Sequence, residues 1–212
     1  MKKKIILLIF LLLCICGCTN IKNLNYEQIV NTLEIKANNA NQYRSGYKYF
    51  LPRDMKILDS KLFNEVLTNK KEIYYLYVDA LSYQNKIENE YVTKSKSYYS
   101  KNIKYNNKFG YLEINLIKNE QYLIEFMYNY AKIEVMVNKE NINRALLTSI
   151  SILKSVKYND SIIANLFGND ILNFTEEEFN IFNTTSSDST YIQIDDTYPE
   201  VEEEVPDTDL IN

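Results

Sequence analysis

"YLEINLIKNEQYLIEFMYNYAKIEVMV" (residues 111–137) decides the fold of this chain. Residues 111–117 alternate cleanly between apolar and polar, and 121–128 and 131–137 complete an antiparallel meander. A period of two puts successive side chains on opposite faces of a strand. The breaks between these segments are too short for a crossover, so neighbouring strands must run antiparallel. Outward from this meander, "EIYYLYVDALSYQ" (72–84) is rich in aromatic and branched residues that suit strands. Tyr74, Leu76, Val78 and Ala80 form one of its faces, and Tyr75, Tyr77 and Asp79 the other. Residues 94–105 are more polar and predict an edge strand guarded by lysines. "YNNKFG" (105–110) predicts a turn, with Gly110 able to take positive φ.

The flanks add helices. Tyr26, Ile29, Val30, Leu33, Ala37 and Ala40 recur at helical spacing, which predicts a helix over 26–40. Asn25 is its N-cap and Gln28 stands where a capping-box partner would. "GYKYFLPRDMKIL" (46–58) predicts an extended segment with Pro52 at a strand end. Residues 59–71 predict a connector with a short helix through Leu62, Phe63, Val66 and Leu67. Ile142, Ala145, Leu146, Ile150 and Leu153 predict a second helix, capped by Asn138 or Asn141, ending near Ser155. "SVKY" (155–158) predicts a last short strand, 160–167 one or two helical turns, and Gly168 the C′ position. Thr175 and Glu178 match a capping box, but 170–183 fits a strand nearly as well. The expected fold class is α+β: an antiparallel β-meander sheet packed by an N-terminal helix and a late amphipathic helix, with a disordered acidic C-terminal tail.

Charge divides the chain. Residues 19–157 carry 21 basic and 14 acidic side chains, whereas 158–212 carry 14 acidic and none basic. Such halves imply a folded body and an acidic tail. From Thr184 onward, acids without bases favour disorder. There is no His, so the usual general base near neutral pH and the commonest metal ligand are missing. The 19 tyrosines, with abundant Asn, Lys and Ile, reflect A/T-rich codon usage as readily as function.

All cysteines fall within "LLLCICGCTN" (11–20). A thiolate cluster suits soft metals, but the flanks point elsewhere. Lys2, Lys3 and Lys4 precede the apolar run Ile5 to Leu13, the n-region and h-region of a secretory signal. Ile15-Cys16-Gly17-Cys18 resembles the lipobox of bacterial lipoproteins. Only Cys18 has a small residue, Gly17, before it. The resemblance implies cleavage between Gly17 and Cys18, diacylglycerol transfer to the Cys18 thiol, and residence on the outer face of the plasma membrane. Two acyl chains make such an anchor stable. The expected organisation is a signal peptide (1–17), a lipidated tether (18–25), one α+β domain (26–183) and the tail (184–212).

The element order over 26–158, with "GYKYFLP" and the closing "ILKSVKY", loosely resembles the PsbP-like α+β fold group. The Gly-Trp that commonly follows the proline in that group is replaced by Arg53-Asp54-Met55, so no functional residue carries over. The resemblance implies a scaffold or binding role rather than catalysis, and fold alone warrants little.

Two constellations are candidate sites. Glu113, Glu125 and Glu134 fall in successive strands, and glycoside hydrolysis needs two nearby carboxylates. The competing role is pairing with Lys118, Lys132 or solvent. Tyr75, Tyr77 and Tyr111, with Tyr98, Tyr99 and Tyr122, are candidates for an aromatic platform, because tyrosine offers a flat apolar face and a polar tip. No catalytic residue, metal site or cofactor is assigned. The expected function is binding or assembly at the cell envelope, through the lipid anchor and an envelope protein or anionic polymer, without nucleic acid. A solute-binding lipoprotein of a transporter and a carboxylate-based envelope hydrolase are the alternatives.

Overall fold

A computed structural model describes residues 21, 24–88 and 90–168. The predicted signal peptide, Cys18, the 170–183 segment and the predicted acidic tail lie outside the described residues.

Among the described residues ten strands form two sheets: β1 (Gln42–Tyr43), β2 (Tyr47–Tyr49), β3 (Lys56–Lys61), β4 (Asn64–Thr68), β5 (Ile73–Val78), β6 (Tyr99–Tyr105), β7 (Lys108–Leu116), β8 (Gln121–Tyr128), β9 (Ala131–Asn138) and β10 (Lys157–Tyr158). The large sheet has the order β3-β4-β5-β9-β8-β7-β6, antiparallel throughout. It is two meanders fused at β5 and β9. After β5 the chain crosses to the far edge, enters β6, and returns strand by strand. Composition explains the order. Tyr74, Leu76 and Val78 of β5 are fully buried, so β5 belongs in the middle. The lysine-bearing β6 sits at the edge, as predicted.

Tight turns join the meander. Asn106-Asn107, Asn119-Glu120 and Asn129-Tyr130 all have positive φ. Positive φ at both central residues marks the turn whose twist matches flanking strands, and Asn tolerates it. Gly110 does not take the positive φ open to it. It lies inside β7, where a Cβ would collide with the carbonyl of Met127 on β8. Its role is close approach, and the asparagines make the turn.

Four helices complete the described chain: α1 (Tyr26–Val30), α2 (Ala80–Asn85), α3 (Ile142–Leu153) and α4 (Asp160–Phe167). The Asn25/Gln28 capping box is formed in both directions, at 2.8 and 3.0 Å. The helix predicted to reach residue 40 instead tightens into a 3₁₀ turn (Asn31–Glu34) and ends, with Ile35 extended. The Thr32 hydroxyl donates to the Ile29 carbonyl (2.6 Å). Beyond Leu33 the stripe offers only Ala37 and Ala40, too little apolar area to hold a further turn.

α3 lies on β8 and β9, and α1 lies on α3. Ala145, Leu146, Ile150 and Leu153 meet a sheet face made of Ile124, Phe126, Ile133 and Val135; all eight are buried. Burying each such large aliphatic side chain is worth roughly 1.5–3 kcal/mol. The small sheet, β1-β2-β10, stands on the same side: Tyr47 and Tyr49 of β2 reach Glu65 of β4.

Three further expectations are corrected. The short helix over 62–67 is the β3–β4 hairpin; with partners on both edges, β4 is buried from Asn64 to Leu67, which erases the alternation that marks a strand. The 72–84 strand ends at Val78, because the Asp79 carboxylate accepts the Ser82 N–H (2.7 Å) and starts α2. Neither Asn138 nor Asn141 caps α3 through its side chain; a 3₁₀ turn (Lys139–Asn141) leads in instead. "SVKY", α4 and Gly168 (φ 53°) stand where the sequence put them, with Asn159 capping α4.

Candidate recognition face

Strand register gathers the candidate residues on the face of the large sheet opposite α3. Glu113 pairs with Glu125, Glu125 with Glu134, and Glu134 with Tyr75. One row over, Tyr111 pairs with Met127, Met127 with Lys132, Lys132 with Tyr77, and Tyr77 with Asn64. The three glutamates thus form a line across three strands. Tyr75, Tyr77 and Tyr111 come from β5 and β7 to the same face.

Like charges directly opposite each other destabilise a sheet. Each carboxylate here has its own compensation. Glu113 accepts hydrogen bonds from the Tyr91 hydroxyl (2.6 Å), Asn115 Nδ2 (2.7 Å), Ser97 Oγ (3.2 Å) and Lys94 Nζ (3.2 Å). Glu125 accepts from the Tyr111 hydroxyl. Glu134 pairs with Lys132 Nζ at 3.0 Å. Lys132 is the partner the sequence suggested, but on the same strand; Lys118 pairs with none of the three.

The residues holding Glu113 come mainly from the loop before β6. Tyr91 lies flat on Tyr111, ring centroids 4.2 Å apart and planes within 5°. This loop straps the β7 end of the face. Burial alone would raise the Glu113 pKa. Hydrogen bonds from Tyr91, Asn115 and Lys94, with the Lys94 charge, outweigh that and hold it below the ordinary carboxylate value. Burial, and then the hydrogen bond to Glu113, push the Tyr91 phenol up. The Tyr75 phenol is also raised, by burial first and then by the Glu134 charge.

The other three tyrosines are elsewhere. Tyr98 and Tyr99 pack edge-on against Tyr26, at 6.3 and 5.1 Å, and Tyr98 against Tyr122 at 4.9 Å. They fasten α1 to the sheet edge.

A second polar cluster, on the core side, was missed in the sequence. Glu65, fully buried, accepts from Arg44 Nη2 (2.8 Å), the Tyr47 hydroxyl (2.8 Å) and the Tyr49 hydroxyl (2.7 Å). It ties the small sheet to the large one. The single detectable signal was a charge inside a buried strand, and 59–71 did not look like a strand.

A cleft of about 150 Å³ runs between the 3₁₀ turn and the β6 edge, lined by Val30, Leu33, Ile103 and residues 101–105. Among the described residues, no group of three or more acidic or cysteine side chains is placed to hold a metal ion. No helix among them is long and apolar enough to cross a membrane.

Comparison with protein-family models, with curated proteins and with solved structures finds no match to this chain. The class defined by the described residues is therefore architectural: an α+β domain built on a seven-stranded antiparallel sheet, one face under helices and the other bearing tyrosines and carboxylates.

Proposed function

We propose that this chain is a lipid-anchored extracytoplasmic lipoprotein with a binding or assembly role at the cell envelope. Its partner is an envelope protein, engaged through the Tyr75, Tyr77 and Tyr111 face. One observation carries the choice of surface: tyrosines distant in sequence share one sheet face, alternating with carboxylates already tied to neighbours. Rigid aromatic side chains with polar tips are the residues that anchor protein interfaces. The lysines, apolar run and lipobox ending at Cys18 support the anchor and the location.

An anionic polymer fits this face poorly, because its central row is glutamates. The hydrolase alternative requires one carboxyl kept protonated near neutral pH. Glu113 is instead held ionised, and Glu125 and Glu134 have donors of their own. A solute-binding lipoprotein needs two lobes around a cleft, whereas residues 24–168 pack into one core.

Two measurements test the proposal. Metabolic labelling with a fatty-acid analogue should mark the wild type and not Cys18→Ala; equal labelling would remove the anchor. A photo-crosslinking residue in place of Tyr77 should capture one envelope protein in cells. Capture of abundant bystanders alone would count against the face.

A further inference from the structure

We infer that the end of the domain where the chain enters is a docking surface for anionic phospholipid, and that the anchored chain stands on the bilayer with this end down. The orientation rests on the lipidation proposed at Cys18.

Strand register brings three turns to that end. Thr68 of β4 pairs with Ile73 of β5, Leu116 of β7 with Tyr122 of β8, and Gln121 of β8 with Asn138 of β9. Tyr74 of β5 pairs with Val135 of β9, so the β4–β5, β7–β8 and β9–α3 turns share one end of the large sheet. Side chains tie this end together. Arg144, in the first turn of α3, reaches Glu72 in the β4–β5 turn at 2.7 Å. Lys139 Nζ lies 6.0 Å from the centre of the Tyr98 ring, just before β6. Asn143 Nδ2 donates to the carbonyls of Ile21 (2.9 Å) and Leu24 (2.8 Å). The chain therefore enters the domain here.

Reach then sets the orientation. Cys18 stands three residues before Ile21. Three residues extend to about 10 Å at most, at ~3.5 Å each. A lipid on Cys18 holds the bilayer surface within that distance of Ile21. β8 is eight residues long, so the opposite end of the sheet lies about 27 Å further away at ~3.4 Å per residue. Screening confines the attraction between exposed charges to about 8 Å at physiological salt. The near end, not the far one, is therefore the end that meets charged headgroups.

The side chains at this end suit a lipid surface. Leu116 is 55% exposed and Ile21 47%, and Ile73, Tyr98 and Ile117 are exposed beside them. Single exposed apolar residues are ordinary, but a group at one end marks an interaction surface. Lys70 and Lys71 project from the β4–β5 turn, Lys118 from the β7–β8 turn and Lys139 from the β9–α3 turn, all exposed. Against them stand Glu120 and Glu140; Glu72 is taken up by Arg144. The balance is positive. Aliphatic side chains and a tyrosine among lysines match the boundary between acyl chains and anionic headgroups.

The test uses residues 18–212, in which Cys18 is the sole cysteine. The chain is coupled through it to a maleimide-bearing lipid, in vesicles of phosphatidylcholine with or without phosphatidylglycerol. A photo-crosslinking residue replacing Ile117 should give lipid adducts. The same residue replacing Leu62, exposed in the β3–β4 turn at the opposite end, should give few. Phosphatidylglycerol should raise the yield at Ile117. Lys71→Glu with Lys118→Glu should then lower it roughly fivefold or more, since one basic side chain near an anionic surface is worth about a factor of five. Equal yields at Ile117 and Leu62, adducts to a second copy instead of lipid, or a yield indifferent to phosphatidylglycerol would overturn the inference. The maleimide supplies the anchor, so the result is read apart from fatty-acid labelling in cells. Adducts at Ile117 without cellular labelling would remove the natural anchor and keep the lipid-docking end; labelling without adducts would do the reverse.

Discussion

Glu113 on β7 and Glu125 on β8 stand directly opposite each other, and the stacked pair Tyr91–Tyr111 supplies each with a hydroxyl. The stack is more than ring packing: it sets two phenols side by side above two carboxylates that would otherwise repel. Removing the Tyr91 hydroxyl by Tyr91→Phe should cost roughly 1–3 kcal/mol at neutral pH, the usual range for weakening a buried hydrogen-bonded group. Urea denaturation checks it; no change would mean that Lys94, Ser97 and Asn115 suffice.

The same carboxylate predicts a pH dependence. The folded Glu113 pKa lies below its ordinary value of 4.5. Its contribution is therefore fully present above that value and lost as pH falls through the lower folded one. Wild type should exceed Glu113→Gln in stability at pH 7, and the gap should close in acid. A gap independent of pH would show that shape rather than charge matters there.

Glu65 predicts a larger effect. Glu65→Ala strands the Arg44 guanidinium and the Tyr47 and Tyr49 hydroxyls, and breaking a buried ion pair costs roughly 3–5 kcal/mol. Tyr49→Phe should cost less, roughly 1–3 kcal/mol. If both variants melt like wild type, the small sheet is not held through Glu65.

Alkaline titration separates the phenols. Burial first, then the neighbouring Glu65 charge, raises Tyr47 and Tyr49; burial and then the Glu72 charge raise Tyr74. Burial, with the hydrogen bond to Asp160, pushes Tyr83 up to about 12. A raised phenol favours the folded state below its unfolded pKa of ~10, and that contribution is lost as pH rises through the folded value. Tyrosinate absorbance should therefore show a fraction that appears only with unfolding. A single transition near pH 10 in folded protein would contradict this.

Gly110→Ala should be worse than an ordinary overpacked core, which costs roughly 1–3 kcal/mol, because the new Cβ meets the backbone of Met127 and Tyr128, not a movable side chain. Asn107→Gly, which relieves a left-handed residue (φ 56°), should leave the melting temperature equal or higher. Equal melting of Gly110→Ala and wild type would mean that β7 and β8 can part locally.

Much of the architecture was legible because it follows local rules. The alternation in 111–117 and the short turns that follow it placed β7, β8 and β9; Asn25 and Gln28 placed the start of α1; Gly168 marked the end of α4. Expectations failed where pairing, not periodicity, controls the outcome. β4 looked helical because burial on both faces hides the period of two. Gly110 looked like a turn residue because sequence does not reveal which backbone passes close to it. That Tyr75, Tyr77 and Tyr111 would share a face could be suspected, but the same reasoning included Tyr98, Tyr99 and Tyr122, which pack elsewhere.

By itself the sequence determined the antiparallel class of the sheet and the lysine-bearing edge. These follow from side-chain chemistry taken a few residues at a time. Only the tertiary structure decided that β5 joins β9, that three glutamates line up across three strands, and that a buried Glu65 holds two sheets together. Those outcomes depend on register, and register is fixed by which faces the whole chain can bury at once.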